Sequence, residues 1–347
     1  MTDSRAANLQ TLLTRRADEV PGVLLGIEAP LHDLQWRGAA GQFCLESREP
    51  LGDDAGFRIA SMSKTFTGVI AAQLVEEGML DLSAPVTHFL PGSLIAKLPI
   101  SDGFAASDIN MDLLLHHRAG FNDFALSETW FAELSKDPGR HREPLEIATW
   151  AAENGHSVGA PGAQYHYSDT GFVLAGLVLE AVSGESYATL CRRRIFDPLD
   201  MHNTWLEGHE SPLSTLSHAY LEMDGQRLDA LQINGSCDWA AGGHVSTLAD
   251  LDRFLVGLFN GTLFKRPETL DLLLAGPQAK PGFYYGLGIG RKQLRGKHLW
   301  GHLGHWGSFM YFCPEARLRV AGTLNLDQPL QNAFLEQVLD IVFSRGD

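Results

Sequence analysis

The sequence is poor in positive charge. Its 27 lysines and arginines are outnumbered by 42 aspartates and glutamates, and the formal net charge at pH 7 is −15. A chain this acidic repels the phosphate backbone of nucleic acids. The densest basic cluster, Arg192-Arg193-Arg194, falls inside a predicted amphipathic helix. We therefore expect no nucleic-acid partner.

Long apolar runs and cysteine motifs are also missing. No stretch approaches the roughly 18 uninterrupted apolar residues of a membrane span, and residues 1–20 lack the apolar segment of a signal peptide. From the chain as given we expect a cytoplasmic protein with no membrane partner. The cysteines lack C-x-x-C spacing, which predicts buried apolar side chains with neither disulfides nor a zinc site. They are Cys44, Cys191, Cys237 and Cys313.

Strand patterns lie at both ends of the chain, with helical patterns between them. The economical packing is one antiparallel sheet built from both chain ends, flanked by the terminal helices, with a large, mostly helical insertion. The sequence therefore predicts an α+β fold. The first part of the α/β subdomain is expected at residues 1–82, the helical subdomain at 83–275 and the second α/β part at 276–347.

The stretch "FRIASMSKTF", residues 57–66, places Ser61 three positions before Lys64 at a predicted helix start. Side chains with this spacing lie close together on one helix face. A serine hydroxyl is a weak nucleophile until a neighbour accepts its proton, and burial or the helix dipole lowers the pKa of a lysine towards that role. The alternative is a serine that caps the helix and a lysine that points to solvent. Spacing alone leaves both open.

Two further stretches favour the catalytic interpretation. "YHYSDTGFVLAG" places Tyr167-Ser168-Asp169 before an apolar helix, and "HLWGHLGHWG" places His302-Leu303-Gly304 on a late strand. An S-x-x-K motif, a Y-x-N-like triplet and a K-T-G-like triplet, in this order, resemble the serine penicillin-recognising enzymes. The segments "LLLHHRAGF", "IFDPLDMHNTWL" and "AAGGHVSTLADLDRFL" also resemble the class C β-lactamase-like family. That family includes β-lactamases, D,D-carboxypeptidases and family VIII-type esterases.

The resemblance implies a β-lactamase/transpeptidase-like fold and an acyl-enzyme mechanism. Ser61 matches the nucleophile, Lys64 the lysine that accepts or relays its proton, and Tyr167 the tyrosine near the leaving group. Whether Lys64 or Tyr167 is the general base stays open. The oxyanion hole is expected from the backbone N–H groups of Ser61 and His305. The expected substrate-binding residues are Asp169, His302, Gly304 and Trp306, although Trp306 could instead fill the core.

Two positions depart from the family pattern. Asp169 replaces an asparagine, so its ionised side chain can only accept hydrogen bonds, and it favours the ammonium form of Lys64. Tyr167 is then the favoured base. His302 replaces a lysine that binds a substrate carboxylate, and a neutral imidazole offers less charge. His302 and His305 lie three apart on a predicted strand and point to opposite faces, so we expect no catalytic metal. No cofactor is expected either.

These features favour a serine hydrolase with esterase-like activity on a small-molecule ester or amide. A D-amino-acid peptidase or amidase, or an acyltransferase of the same family, is the first alternative. A non-catalytic binding protein with the same fold is the second. The retained Ser61, Lys64 and Tyr167 favour the enzyme. The natural substrate, its stereochemistry and the oligomeric state are left open by the sequence.

Overall fold

Helices and strands are defined for residues 4–223, 225–327 and 329–344, which the computed structural model describes. The α-helices are α1 (Ser4–Arg16), α2 (Ser63–Glu76), α3 (Gly92–Ile95), α4 (Met111–Leu115), α5 (Glu128–Lys136), α6 (Pro144–Asn154), α7 (Asp169–Ser183), α8 (Tyr187–Cys191), α9 (Trp239–Gly242), α10 (Leu248–Phe259), α11 (Pro267–Leu274) and α12 (Gln331–Val342). The strands are β1 (Gly22–Ala29), β2 (Leu34–Cys44), β3 (Glu49–Pro50), β4 (Phe57–Arg58), β5 (Trp205–Leu206), β6 (Tyr220–Met223), β7 (Gln226–Asp229), β8 (His244–Ser246), β9 (Gln278–Lys280), β10 (Phe283–Tyr285), β11 (Gly290–Leu294), β12 (Lys297–Leu303), β13 (Phe309–Cys313) and β14 (Leu318–Thr323).

The main sheet joins the two ends of the chain. Among the described strands, nine form one sheet in the order β3-β2-β1-β14-β13-β12-β11-β10-β9. Neighbouring strands are antiparallel, and β1 pairs with β14 so that Leu24 lies opposite Thr323. The predicted α+β fold, with one antiparallel sheet built from both ends, is confirmed.

Each face of the sheet packs on a different set of helices. Alternate side chains of a strand point to opposite faces, and β1 follows this rule. Val23, Leu25 and Ile27 pack in one apolar cluster with residues of α1 and α12, including Leu9 and Leu339. Leu24 points the other way, into the larger core that contains α2, α7 and α10. The terminal helices therefore flank one face, and the helical part covers the other.

The middle of the chain contains more strand than the sequence predicted. β4 and β5 flank β8 in a small antiparallel sheet, and β6 pairs with β7. These strands are two to four residues long, too short for a period-two pattern to stand out. Near the C-terminus, β10 and β11 are short strands separated by a turn. The limits proposed for the three parts of the chain stay predictions.

Two further expectations concern membranes and cysteines. Within the described residues, no helix alone has the length and apolar character to span a bilayer; α7 and the segment Tyr187–Leu199 satisfy that test only as a pair, bent by 79°. The cytoplasmic location stays a prediction. All four cysteines are free and buried, as predicted.

Candidate active site

A tight turn between β4 and α2 presents the serine of the first motif. Ala60, just before Ser61, has a φ of 48°, in the left-handed region that non-glycine residues seldom occupy. The helix itself begins at Ser63, and Met62, which makes no side-chain capping bond, precedes it. The glycine of the third motif packs on this turn: a Cβ on Gly304 would lie 2.4 Å from the Ile59 carbonyl oxygen. Only a glycine allows this contact, which places the third motif beside the serine.

Lys64 is fully buried, so the alternative in which it points to solvent is wrong. Its Nζ lies 3.0 Å from the Ser61 Oγ and 2.7 Å from the Ala241 carbonyl oxygen. It also lies 2.6 Å from the Asp169 Oδ1. The first two oxygens accept hydrogen bonds from Lys64, and the Asp169 carboxylate supplies the opposite charge that a buried ammonium needs. The aspartate that replaces the family asparagine therefore forms an ion pair with the lysine of the first motif.

Tyr167 contacts both members of the first motif. Its side chain lies next to Ser61, and the Lys64 Nζ lies 4.9 Å from the centre of its ring. Burial raises the pKa of Tyr167 well above its usual value, and the negative charge of Asp169 raises it further. Tyr165, two residues earlier in the chain, packs against Tyr285 instead, with ring centres 5.8 Å apart. Tyr167 is thus the tyrosine at the serine, and it is a neutral phenol.

His117 holds the loop that presents Tyr167. Its Nδ1 accepts a hydrogen bond from the Ser168 N–H at 3.0 Å, and its carbonyl accepts one from the His166 N–H at 2.8 Å. Its ring packs on Tyr167, with centres 4.2 Å apart. Burial, followed by the charge of Lys64, lowers the pKa of His117 well below its usual value. The neutral imidazole positions the second motif.

The histidine of the third motif is neutral and engaged on both sides. The His302 Nδ1 lies 2.6 Å from the Leu303 carbonyl oxygen, and its Nε2 lies 2.8 Å from the Tyr285 hydroxyl. A carbonyl only accepts hydrogen bonds, so Nδ1 bears the proton and Nε2 accepts from the tyrosine. Burial, with Lys64 second, lowers the pKa of His302 to about 3. His305 points elsewhere, with its Nε2 3.4 Å from the Asp327 carboxylate, so the two imidazoles do not converge.

A cavity of about 200 Å³ opens over the serine. Its lining brings together five of the predicted site residues: Ser61, Tyr167, Asp169, His305 and Trp306. His302 and Gly304 lie behind this surface. The N–H of His305, one of the two expected oxyanion donors, has no acceptor among the described residues. One part of the wall is apolar and is formed by Ala125, Leu126, Trp130, Phe131 and Leu134.

Two half-buried carboxyl groups in the wall were not predicted from the sequence. Burial, with Asp169 second, raises the pKa of Asp123 to about 7. Burial and Asp169 also raise the pKa of Asp238. The nearby Arg58 is already paired, with its Nε 2.8 Å from the Glu207 Oε2. Both aspartates lie in or beside segments that resemble the family, "HHRAGFNDF" and "CDWAAGG", but a single acidic residue in such a segment carries no spacing signal.

Comparisons with known proteins find similar sequences and similar folds. The human mitochondrial serine beta-lactamase-like protein LACTB is 27% identical over 332 residues, which cover 76% of this chain and 60% of that protein. The chain thus spans about 60% of the length of that relative. A D-stereospecific amidohydrolase from Streptomyces sp. superposes with a TM-score of 0.83 at 28% identity, covering 97% of this chain and 98% of the other.

A D-amino acid amidase from Ochrobactrum anthropi SV3 gives a TM-score of 0.83 at 27% identity, with 98% of each chain covered. These neighbours support a serine hydrolase in general terms. The sequence profile of the Beta-lactamase family matches residues 18–341. The match spans nearly the whole chain, and the protein therefore belongs to the Beta-lactamase family.

Proposed function

We propose that the protein is a serine hydrolase that forms an acyl-enzyme on Ser61 and cleaves a small ester or amide. The principal support is the geometry at one oxygen atom. The Ser61 Oγ lies 3.0 Å from the Lys64 Nζ, and Tyr167 lies beside Ser61 in the cavity wall. This oxygen opens into a cavity large enough for a small substrate.

The protonation states favour a relay through Tyr167. Burial and the charge of Asp169 oppose a Tyr167 phenolate in the resting site, and the Lys64 Nζ lies 2.6 Å from the Asp169 Oδ1. A neutral phenol can instead accept the Ser61 proton while it gives its own proton to the leaving group. Ser61 Oγ bonds to the substrate carbon, the bond to the leaving group breaks, and Tyr167 is neutral before and after.

The oxyanion and the second half of the reaction use the same groups. The backbone N–H groups of Ser61 and His305 stabilise the developing negative charge. Lys64 remains an ammonium that orients the Ser61 oxygen. Water then attacks the acyl carbon and gives one proton to Tyr167, which returns its own to Ser61. Another small acceptor in place of water makes the same site an acyltransferase.

The charges of the cavity favour a substrate that carries an ammonium group. Asp123, Asp169 and Asp238 line it, whereas Lys64 and Arg58 are each paired with a carboxylate. The apolar wall around Leu126 suits a hydrocarbon side chain. An amide or ester of an apolar amino acid has both parts. This observation makes an amino-acid amidase the second candidate, and the Streptomyces and Ochrobactrum neighbours give it further support.

The first test uses p-nitrophenyl butyrate with intact-mass spectrometry. The wild-type protein is expected to release nitrophenol, with or without a trapped butyryl group on Ser61. Ser61→Ala is expected to keep the fold and lose both signals. Absence of release and adduct in the wild-type protein would reject the esterase and leave the amidase or a non-catalytic binding protein.

The second test compares p-nitroanilides of D- and L-phenylalanine with their N-acetyl derivatives. The free amine and its acetylated partner differ chiefly in the charge that the acidic wall is proposed to bind. We expect kcat/KM to be about 10-fold or more higher for the free amine, since one charge-assisted contact contributes about 1.5 to 3 kcal/mol. Equal rates would reject the ammonium subsite. The ratio between the D and L forms measures stereochemical preference.

A further inference from the structure

A group of metal-binding residue types lies outside the cavity, where β2 meets the β6–β7 hairpin. The Cys44 Sγ, a Glu46 carboxylate oxygen and a ring nitrogen of His218 lie within 4.8 Å of one another. The Cys44 Sγ is 3.0 Å from the Glu46 Oε2. The backbone joins the two segments here, because the His218 N–H donates to the Phe43 carbonyl oxygen at 2.9 Å. Residues distant in sequence thus converge on one point.

Neighbouring groups orient the imidazole and the carboxylate. The His218 Nδ1 lies 2.9 Å from the Asp229 Oδ2, which leaves Nε2 for a ligand. The Tyr220 hydroxyl donates to the Glu46 Oε2 at 2.9 Å and accepts from the Leu45 N–H at 2.8 Å. A histidine whose second nitrogen is held by a carboxylate is the usual arrangement around protein-bound zinc. The cluster therefore has supporting contacts as well as ligand atoms.

We propose that Cys44, Glu46 and His218 bind a divalent cation of the zinc class, with water as the fourth ligand. Bonds of about 2.0 to 2.3 Å place neighbouring ligand atoms of a tetrahedral site roughly 3 to 4 Å apart, within small side-chain adjustments of the distances here. A thiolate, an imidazole and a carboxylate together favour Zn²⁺ over Mg²⁺ or Ca²⁺. The Cys44 thiol proton passes to solvent when the metal binds.

The bound ion would fix one wall of the cavity. Ala219, Leu221 and Ala230, in and beside the β6–β7 hairpin, pack with Ala60 and Trp306 in one apolar cluster. The Ala230 carbonyl also accepts a hydrogen bond from Arg58 at 2.7 Å. A metal that ties β2 to His218 therefore restrains the segment that covers the residues beside Ser61. The cysteine spacing alone predicted no zinc site, because the proposed ligands are far apart in the sequence. Cys44 and Glu46 lie at the end of β2, whereas His218 lies in a distant loop before β6.

The chain contains a matched control of the same residue types. The Cys313 Sγ lies 3.3 Å from the Glu315 Oε2, and the His298 Nδ1 lies 2.8 Å from the Glu315 Oε1. There the histidine is bonded to the glutamate itself, and no separate carboxylate in the described part of the chain orients it. Among the described residues, Cys44, Glu46 and His218 are the group of three whose ligand atoms converge closely enough for one ion.

The test is a titration of the chelator-treated full chain with Co²⁺, followed by Zn²⁺. We expect one Co²⁺ per chain, a thiolate-to-cobalt charge-transfer band in the near ultraviolet, and displacement of the band by Zn²⁺. Cys44→Ser is expected to lose the band and Cys313→Ser to keep it. His218→Gln and the exposed Glu46→Gln are expected to weaken Co²⁺ binding by about 10-fold or more.

Thermal unfolding gives a second readout, independent of any catalytic activity. Saturating Zn²⁺ is expected to raise the Tm of the wild-type protein and of Cys313→Ser, but not that of Cys44→Ser. The proposal is overturned if the folded wild-type chain binds neither ion, if the band persists in Cys44→Ser, or if Cys313→Ser abolishes it equally. Glu46→Gln keeps the test decisive if Cys44→Ser does not fold.

Discussion

The two sides of the candidate site differ in charge. On the side of the third motif, His302 is neutral, buried and bonded through both ring nitrogens. On the other side, Asp123, Asp169 and Asp238 place carboxyl groups around the cavity. The family resemblance implies a cation at the position of His302 and a neutral amide at that of Asp169. Both substitutions shift the local charge in the same direction, from a site suited to a carboxylate towards one suited to an amine.

Loss of the Tyr167 phenol is expected to have the largest effect on activity. Tyr167→Phe removes the relay but leaves the Lys64–Asp169 ion pair, and we expect kcat on p-nitrophenyl butyrate to fall by about 10³-fold. Tyr165→Phe is the matched control, because Tyr165 packs against Tyr285 rather than Ser61. Steady-state kinetics on both variants checks this. A loss of similar size in Tyr165→Phe would mean that packing, rather than proton transfer, explains the result.

The difference in charge between the two sides is tested most directly by Asp169→Asn, which restores the family residue. Removal of the charge is expected to reduce the preference for a free amine over its N-acetyl derivative by about 10-fold. It also removes a contribution that raises the pKa of Tyr167, so the neutral ester is expected to be affected less than the amine. The ratio of kcat/KM values for the paired nitroanilides measures the effect. An unchanged ratio would show that the acidic side does not select charge.

The acidic side also predicts a dependence on pH. The pKa of Asp123 is raised to about 7, so its carboxyl group gains its charge only above that pH. We expect kcat/KM for an amine substrate to rise as the pH passes about 7, and this step to be absent in Asp123→Asn. The amide oxygen can still accept from the Asp169 and Ala125 N–H groups, which preserves the loop. A persistent step in the variant would assign the titration to another group.

The same shift has a consequence for stability. The folded pKa of Asp123 lies above the ordinary value of 3.8, so its stabilising contribution is fully present below pH 3.8 and is lost as the pH rises through about 7. At pH 8, Asp123→Asn is therefore expected to have a free energy of unfolding about 1 to 2 kcal/mol higher than that of the wild-type protein, and so to unfold at a higher temperature. The difference is expected to shrink at pH 5, and thermal scans at the two pH values check it.

The sequence predicted what depends on ordered motifs and long periodic segments. The strands predicted near the start of the chain and the terminal helix at its end appear in the structure as β1, β2 and α12. The residues assigned to the nucleophile, lysine and tyrosine lie together around one oxygen atom. Their roles stay predictions until the variants are measured. A resemblance with three ordered motifs was specific enough to predict the fold, and the structure brings three of the predicted site residues together.

The missed features depend on contacts between distant segments. Asp123 and Asp238 approach Asp169 only through the fold, so their raised pKa values leave no pattern in the sequence. The replacement of the family lysine by His302 is visible in the sequence, and a lower positive charge at this position was expected. The sequence could not show that the His302 Nε2 is occupied, because its partner is Tyr285, on another strand of the sheet. Sequence motifs thus indicated which residues lie together at the candidate site, whereas burial and tertiary contacts determine their protonation.

The smallest effect is expected from Tyr285→Phe, on the neutral side of the site. The substitution leaves the buried His302 Nε2 without its donor, which costs about 1 kcal/mol of stability, and catalysis is expected to change by less than about 3-fold. Tyr284→Phe is the control, since Tyr284 stacks on Arg291, with the guanidinium 4.3 Å from its ring centre. Chemical denaturation and the NMR titration of His302 check the variant. If instead it lowers activity as strongly as Asp169→Asn, both sides of the cavity contribute to catalysis, and the contrast in charge does not explain substrate preference.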